Sequence, residues 1–241
     1  MKNATLRRPH SRPRLLDRPL PRVTWHRDDG VPTARRPLEG AARDGQSGNK
    51  LSIGNQAIAY YNRGNAFSDK GQYDRAIADY DATLGLQPGY ADAINNRGNA
   101  YVQKGDYERA MADFDTAIRL KSNFAEALNN RCYDQAILGR LPQALADCDR
   151  SLALRPNDPK TLDSRGYARL RAGDYPGAIA DYSAATKAYT AKGSDAAFSY
   201  FGRGLGYQLL GKRELAEQHF RHALAIDPTI ETKIAKIGLK R

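Results

Sequence analysis

Between about Ala57 and Ile230, small and apolar residues recur three and four positions apart, and polar residues fill the places between them. In one stretch Ile94, Gly98 and Tyr101 form one stripe, and Ala110, Phe114 and Ala117 form a second. Each stripe has the period of an amphipathic helix. The two are separated by Lys104-Gly105-Asp106-Tyr107, in which the glycine is suited to end a helix and the aspartate to open the next. Lys70-Gly71-Gln72-Tyr73 and Ala172-Gly173-Asp174-Tyr175 read the same way. Pro88, Pro156 and Pro228 then interrupt second helices and let the chain turn back.

The pair of stripes repeats. Gly64, Gly98, Cys132 and Gly166 stand 34 residues apart, and a longer step of 38 reaches Gly204. A fixed period of this length signals stacked units, each too small to bury its own apolar face. The fold class expected is all-α: an array of five stacked helix pairs with a C-terminal capping helix. The units run 57–90, 91–124, 125–158, 159–196 and 197–230. The four extra residues of the fourth unit amount to about one helical turn and predict a longer second helix, stopped by Gly193, with Ser194 or Asp195 capping the next. Ile230, Ile234 and Ile237 share a helix face, so residues 231–241 are expected to form a lid over the last unit. The front edge has no comparable lid, which leaves it open to self-association.

Two columns carry the packing. Gly64, Gly98, Gly166 and Gly204 on first helices, and Ala76, Ala110, Ala144, Ala178 and Ala216 on second helices, allow close backbone approach. Tyr80, Phe114, Tyr182 and Phe220 fill the adjoining space as core, not as a ligand box. The third unit changes both columns, with Cys132 for glycine and Cys148 for the aromatic. Either two thiols of intermediate size fill the volume, or a disulfide forms, which requires an oxidising compartment. Arg63, Arg97, Arg131 and Arg165 lie 16 residues before Asp79, Asp113, Asp147 and Asp181. Across an antiparallel hairpin this predicts one structural ion pair in each of the first four units. In the fifth, Arg203 meets His219 instead and should lack it.

Lys and Arg exceed Asp and Glu by 11, but residues 1–50 hold 12 basic against 5 acidic side chains. Most of the basicity therefore belongs to that Pro-rich segment, expected to be disordered or irregular. It is read either as a solvated tail, or text absent from the mature protein, or as an arm for nucleic acid or acidic surfaces, with Trp25 placed to stack on a base. No run of about 18 apolar residues suggests a membrane span, and no apolar core of a signal peptide follows the basic N-terminus. The expected location is cytoplasmic by default, and periplasmic or secreted if Cys132 and Cys148 are bonded.

The spaced Gly, Ala, aromatic and Pro positions together resemble the tetratricopeptide repeat family over residues 57–230. The sequence departs from the family pattern in the Arg preceding each Gly, in Cys132, and in Gln135 and Arg169 where an aromatic is usual. The resemblance implies a right-handed superhelical solenoid of antiparallel helix pairs, whose concave face, lined mainly by first helices, holds a peptide or a partner helix. It places Asn62, Asn65, Asn95, Asn96, Asn99, Asn129 and Asn130 there, with Tyr61, Tyr133 and Tyr167. Asn carboxamides can bond an extended backbone whatever its side chains, or can merely solvate the face. The clamp by which chaperone-binding members hold a C-terminal carboxylate is incomplete, since Tyr61, Glu126 and Asn130 stand where it has basic residues.

No enzyme signature emerges. His10 and His26 lie in the N-terminal segment, and His219 with His222 lack a further metal ligand nearby. Gly202, Gly204 and Gly206 alternate as in a nucleotide loop but follow no strand. The expected function is a non-enzymatic module that binds a protein or peptide, as adaptor or assembly factor, without cofactor, metal or small-molecule substrate. The alternatives are nucleic-acid or acidic-surface binding through the arm, and an accessory subunit of an enzyme complex.

Overall fold

A computed structural model of the chain describes residues 52–191, 196–235, 237–239 and 241. The Arg- and Pro-rich segment 1–50, and the stop and cap at Gly193, Ser194 and Asp195, lie outside the described residues. Eleven helices are present among those described: α1 Ile53–Asp69, α2 Tyr73–Leu86, α3 Ala91–Lys104, α4 Tyr107–Leu120, α5 Ala125–Ile137, α6 Leu141–Leu154, α7 Pro159–Ala172, α8 Tyr175–Ala191, α9 Ala197–Leu209, α10 Arg213–Ile226 and α11 Ile230–Ala235. Consecutive helices pack as pairs, α1 with α2 through α9 with α10, and the array is an all-α solenoid.

The helix ends follow from local chemistry. Gly105 and Gly173 close α3 and α7 at φ of 77° and 85°, a left-handed conformation that glycine adopts without a Cβ clash. Asp106 accepts a hydrogen bond from the Arg109 amide, and Asp158 accepts one from the Thr161 amide just ahead of Pro159. Each satisfies one of the donors that a helix start leaves open. Gln72 makes no such cap, because its longer side chain accepts from Arg75 instead, at 2.9 Å.

Close approach within each pair is set by glycine against a ring. A Cβ added at Gly64 would lie 2.8 Å from the Tyr80 ring, at Gly98 2.8 Å from Phe114, at Gly166 3.1 Å from Tyr182, and at Gly204 2.7 Å from Phe220. All four rings are buried, as are the alanines that flank them. In the third pair the same place holds a bond between Cys132 and Cys148, with Cα atoms 5.5 Å apart and both residues fully buried. The two sulfurs take up the space that a ring occupies in the neighbouring pairs.

Successive pairs stack so that α1, α3, α5, α7, α9 and α11 touch in order, whereas no two even-numbered helices touch. The odd-numbered helices are therefore the inner layer of the curve. At the front edge α1 leaves Ile53, Ile58 and Tyr60 exposed. At the far edge the lid is shorter than the sequence suggests: α11 stops at Ala235, and the chain turns at Gly238, whose φ is 76°. Its apolar side nonetheless persists, with Ile230, Ile234, Ile237 and Leu239 all buried in the same cluster as Tyr167, Phe201 and Leu205.

Phe114→Ala is expected to destabilise the array by about 3–5 kcal/mol in urea unfolding, while Gly89→Ala, with open space around its Cα, should change it by less than about 0.5 kcal/mol. Thiol titration of the denatured chain should find no free thiol before reductant and two after. Reduction should lower stability by about 3 kcal/mol, the contribution of closing a loop of this length.

Candidate functional site

The Arg and Asp columns meet across each hairpin. Arg63 donates through Nε and Nη2 to Asp79, both at 2.7 Å, and Arg97, Arg131 and Arg165 make the same two-pronged contact with Asp113, Asp147 and Asp181 at 2.6–2.9 Å. Such a fork matches guanidinium to carboxylate geometry. Each inner arginine also reaches back to the preceding unit. Arg97 binds Asp81, Arg131 binds Asp115 and Arg165 binds Asp149, each at 2.6 Å. Hydrogen bonds to Asp113 hold Arg97 above the ordinary guanidinium value in spite of burial, and those to Asp147 do the same for Arg131. These arginines are committed to carboxylates and form seams between units. Arg169 joins the Arg165–Asp181 pair of the fourth unit, donating to Asp181 at 2.8 Å in a place where an aromatic was expected.

The Asn and Tyr residues lie on α1, α3, α5 and α7, the inner helices. Asn96 Nδ2 donates to Asn65 Oδ1 at 2.9 Å and to the Tyr61 hydroxyl at 3.1 Å, and Tyr80 donates to the same Asn65 oxygen at 2.8 Å. Asn130 Nδ2 donates to Asn95 Oδ1 at 3.0 Å, and Asn95 Nδ2 donates to Asn96 Oδ1 at 3.2 Å. A ladder of carboxamides thus crosses three units. Asn62 is exposed, and Asn65, Asn96, Asn99, Asn129, Asn130 and Tyr133 are half-buried.

Two members of the expected groove are not open to a ligand. Asn95 is 1% exposed, with its carboxamide spent on the ladder. Tyr167 is fully buried: its hydroxyl donates to the Ile237 carbonyl at 3.1 Å, and its ring lies 5.5 Å from that of Tyr133. The chain beyond α11 covers the inner layer at the fourth unit, so the accessible row runs over the first three. Asn129 Oδ1 is buried without a hydrogen-bond partner. Near Tyr61, whose ring lies 5.0 Å from that of Tyr90 at a tilt of 52°, the charged groups are Asp92 and Glu126, and burial above all raises the Tyr61 hydroxyl pKa.

Sequence reasoning missed two buried acids. Asp163 accepts from Ser199 Oγ at 2.6 Å between α7 and α9, and burial pushes its carboxyl up to about 7. Asp134 is 2% exposed, and burial drives it well above the ordinary carboxylate value. Each stands at one position of one unit, so the repeat pattern carries no signal for it. Among the described residues no group of three His, Cys, Asp or Glu could hold a metal, and no helix is long and apolar enough to cross a membrane.

The tetratricopeptide repeat family model matches residues 61–123, 95–159 and 164–229, and the chain belongs to that family. It is a helical repeat scaffold of the protein-interaction type. Among solved structures it is similar to YrrB, described as a TPR protein with an unusual peptide-binding site, at 26% identity and a TM-score of 0.55 over 76% of this chain and 92% of that one. MamA from Desulfovibrio magneticus RS-1 aligns at 17% identity and a TM-score of 0.61, over 74% of this chain and 98% of that one. The APC/C Cut9–Hcn1 heterotetramer aligns at 18% and 0.67, over 76% of this chain and 36% of that one. The last two likenesses concern the fold alone. A search of curated proteins gives no match.

Asp163→Asn tests the buried acid. A carboxyl raised from 3.8 to about 7 on folding binds more protons folded than unfolded across that window. Its stabilising contribution is present in acid and is lost as the pH rises to about 7, with a slope of no more than about 1.4 kcal/mol per pH unit. Subtracting the stability of Asp163→Asn from that of the parent at each pH should therefore give a difference that falls between pH 4 and 7. A flat difference would place the carboxyl at its ordinary value.

Proposed function

We propose that the protein binds an extended peptide segment of a partner protein along the inner face of its first three units, as an adaptor or assembly factor. The observation that carries this reading is the carboxamide ladder. After the internal bonds of the ladder, Asn130 Oδ1 and the whole Asn99 carboxamide make no further hydrogen bond to the described residues. These spare groups offer a donor and acceptors, as a peptide backbone requires, and its bond to Asn95 fixes the Asn130 carboxamide before a ligand arrives. Preorganisation of this kind lowers the ordering cost of binding.

Charge sets the class of segment. Asp92 and Glu126 near Tyr61 disfavour a carboxylate and favour a Lys or Arg side chain. A C-terminal acid clamp is thus the wrong chemistry for this face. The likeness to YrrB, described as having a peptide-binding site, supports the peptide class without specifying the sequence.

The variant Asn99→Ala removes a spare donor and acceptor while touching neither the seams nor the ladder. With each hydrogen bond worth about 0.5–1.5 kcal/mol, the partner captured by the parent chain should bind the variant about tenfold more weakly at an unchanged unfolding midpoint. Equal affinity in the two would place the binding surface elsewhere.

A further inference from the structure

The fifth unit breaks the charge pattern of the other four at two places at once. In the second to fourth units one arginine sits between two carboxylates, its own unit's and the preceding unit's. Arg203 occupies the same place, but the residue in its own unit is His219. The residue on α8, 34 positions after Asp149, is Ser183. Arg203 Nη1 donates to Ser183 Oγ at 3.2 Å, Nη2 lies 3.1 Å from His219 Nδ1, and Nε is buried with no partner. Burial above all pushes His219 down to about 4, with Arg203 and His222 adding to the effect, so at neutral pH the ring is uncharged, and opposite the Arg203 donor its Nδ1 accepts. Among the described residues no carboxylate pairs with Arg203.

The same step of the sequence that loses the carboxylate lengthens α8. Its final turns present Ser183, Thr186, Lys187 and Thr190 on one face, at the i, i+3, i+4 and i+7 spacing of neighbours. With Tyr200 and Arg203 of α9 they line an open depression of about 510 Å³. The Tyr200 ring lies 5.0 Å from the guanidinium carbon and steadies it. The three hydroxyls of α8 already donate to the carbonyls of Ile179, Tyr182 and Thr186, so the attraction of the depression for charge comes from Arg203 and Lys187. A half-buried guanidinium with an unpartnered Nε–H, neutral hydrogen-bond partners and no counter-charge is a receptor for a planar or tetrahedral oxyanion.

We propose that the depression between α8 and α9 binds an oxyanion of the carboxylate or phosphate class, which takes the place that aspartates fill in the preceding units. The site is separate from the carboxamide ladder and does not depend on it. Its ligand group could be carried by a partner or be free in solution, and the chemistry that recognises it is the same.

The test is a titration of the full chain with sodium phosphate and, separately, sodium acetate, at neutral pH and matched ionic strength, following the Arg203 Nε–H resonance by NMR. Ser183→Asp provides the internal counter-charge from the helix position that does so in the earlier units, and it should fold at least as stably as the parent. Arg203→Gln identifies the resonance. The parent should show a saturable shift with one or both anions, and Ser183→Asp should bind the same anion at least about tenfold more weakly, a difference of about 1.4 kcal/mol. The anion that binds more tightly identifies the group. Absence of saturation with both anions, or equal dissociation constants in the parent and Ser183→Asp, overturns the proposal, and the second result does so even if Arg203→Gln fails to fold.

Discussion

Contact between a glycine and an aromatic ring sets the distance at which two helices of a pair can meet, and the stacking of pairs depends on that distance. With a side chain at Gly98 or Gly204, the ring of Phe114 or Phe220 would have to move, and the helix behind it as well. Close packing leaves little room for such a movement, because interiors are filled to crystal-like density. The alanines on the second helices keep the same spacing from the other side. Regular spacing is what brings an arginine of one unit within reach of carboxylates on two units.

Those arginines have a structural role that a count of surface ion pairs would understate. Each sits with about a fifth of its side chain exposed in the second to fourth units, against half for Arg63, which meets no preceding unit among the described residues. Half-buried charges are costly when unpaired, so the seams penalise any stacking that separates them. The carboxamide ladder lies across the same three inner helices whose register the seams hold.

The pairing of columns within a unit was legible because repetition displays it: a residue type that returns every 34 positions has a reason tied to the fold. Arg97 and Asp113 stand out on that ground. The second contact, from Arg97 to Asp81, is equally regular but links neighbouring units, and it becomes readable only once α2 is known to lie against α3. Features that break the period were less accessible. Asn95 and Asn96 look alike in the text, yet one residue of helix rotation puts the first inside and leaves the second half-buried. Tyr167 is covered by chain 70 residues further on, a contact that no local pattern encodes. The terminal stripe of Ile230, Ile234 and Ile237 announced an apolar lid, but not that the helix would yield to a turn at Gly238.

The Cys132–Cys148 bond spans the turn between α5 and α6, where Gly139 adopts a φ of 76°. A protease that severed the backbone at this turn would not divide the molecule, because the fragments would stay joined through sulfur. The middle of the array is thus the one place among its hairpins where continuity does not rely on the peptide chain alone.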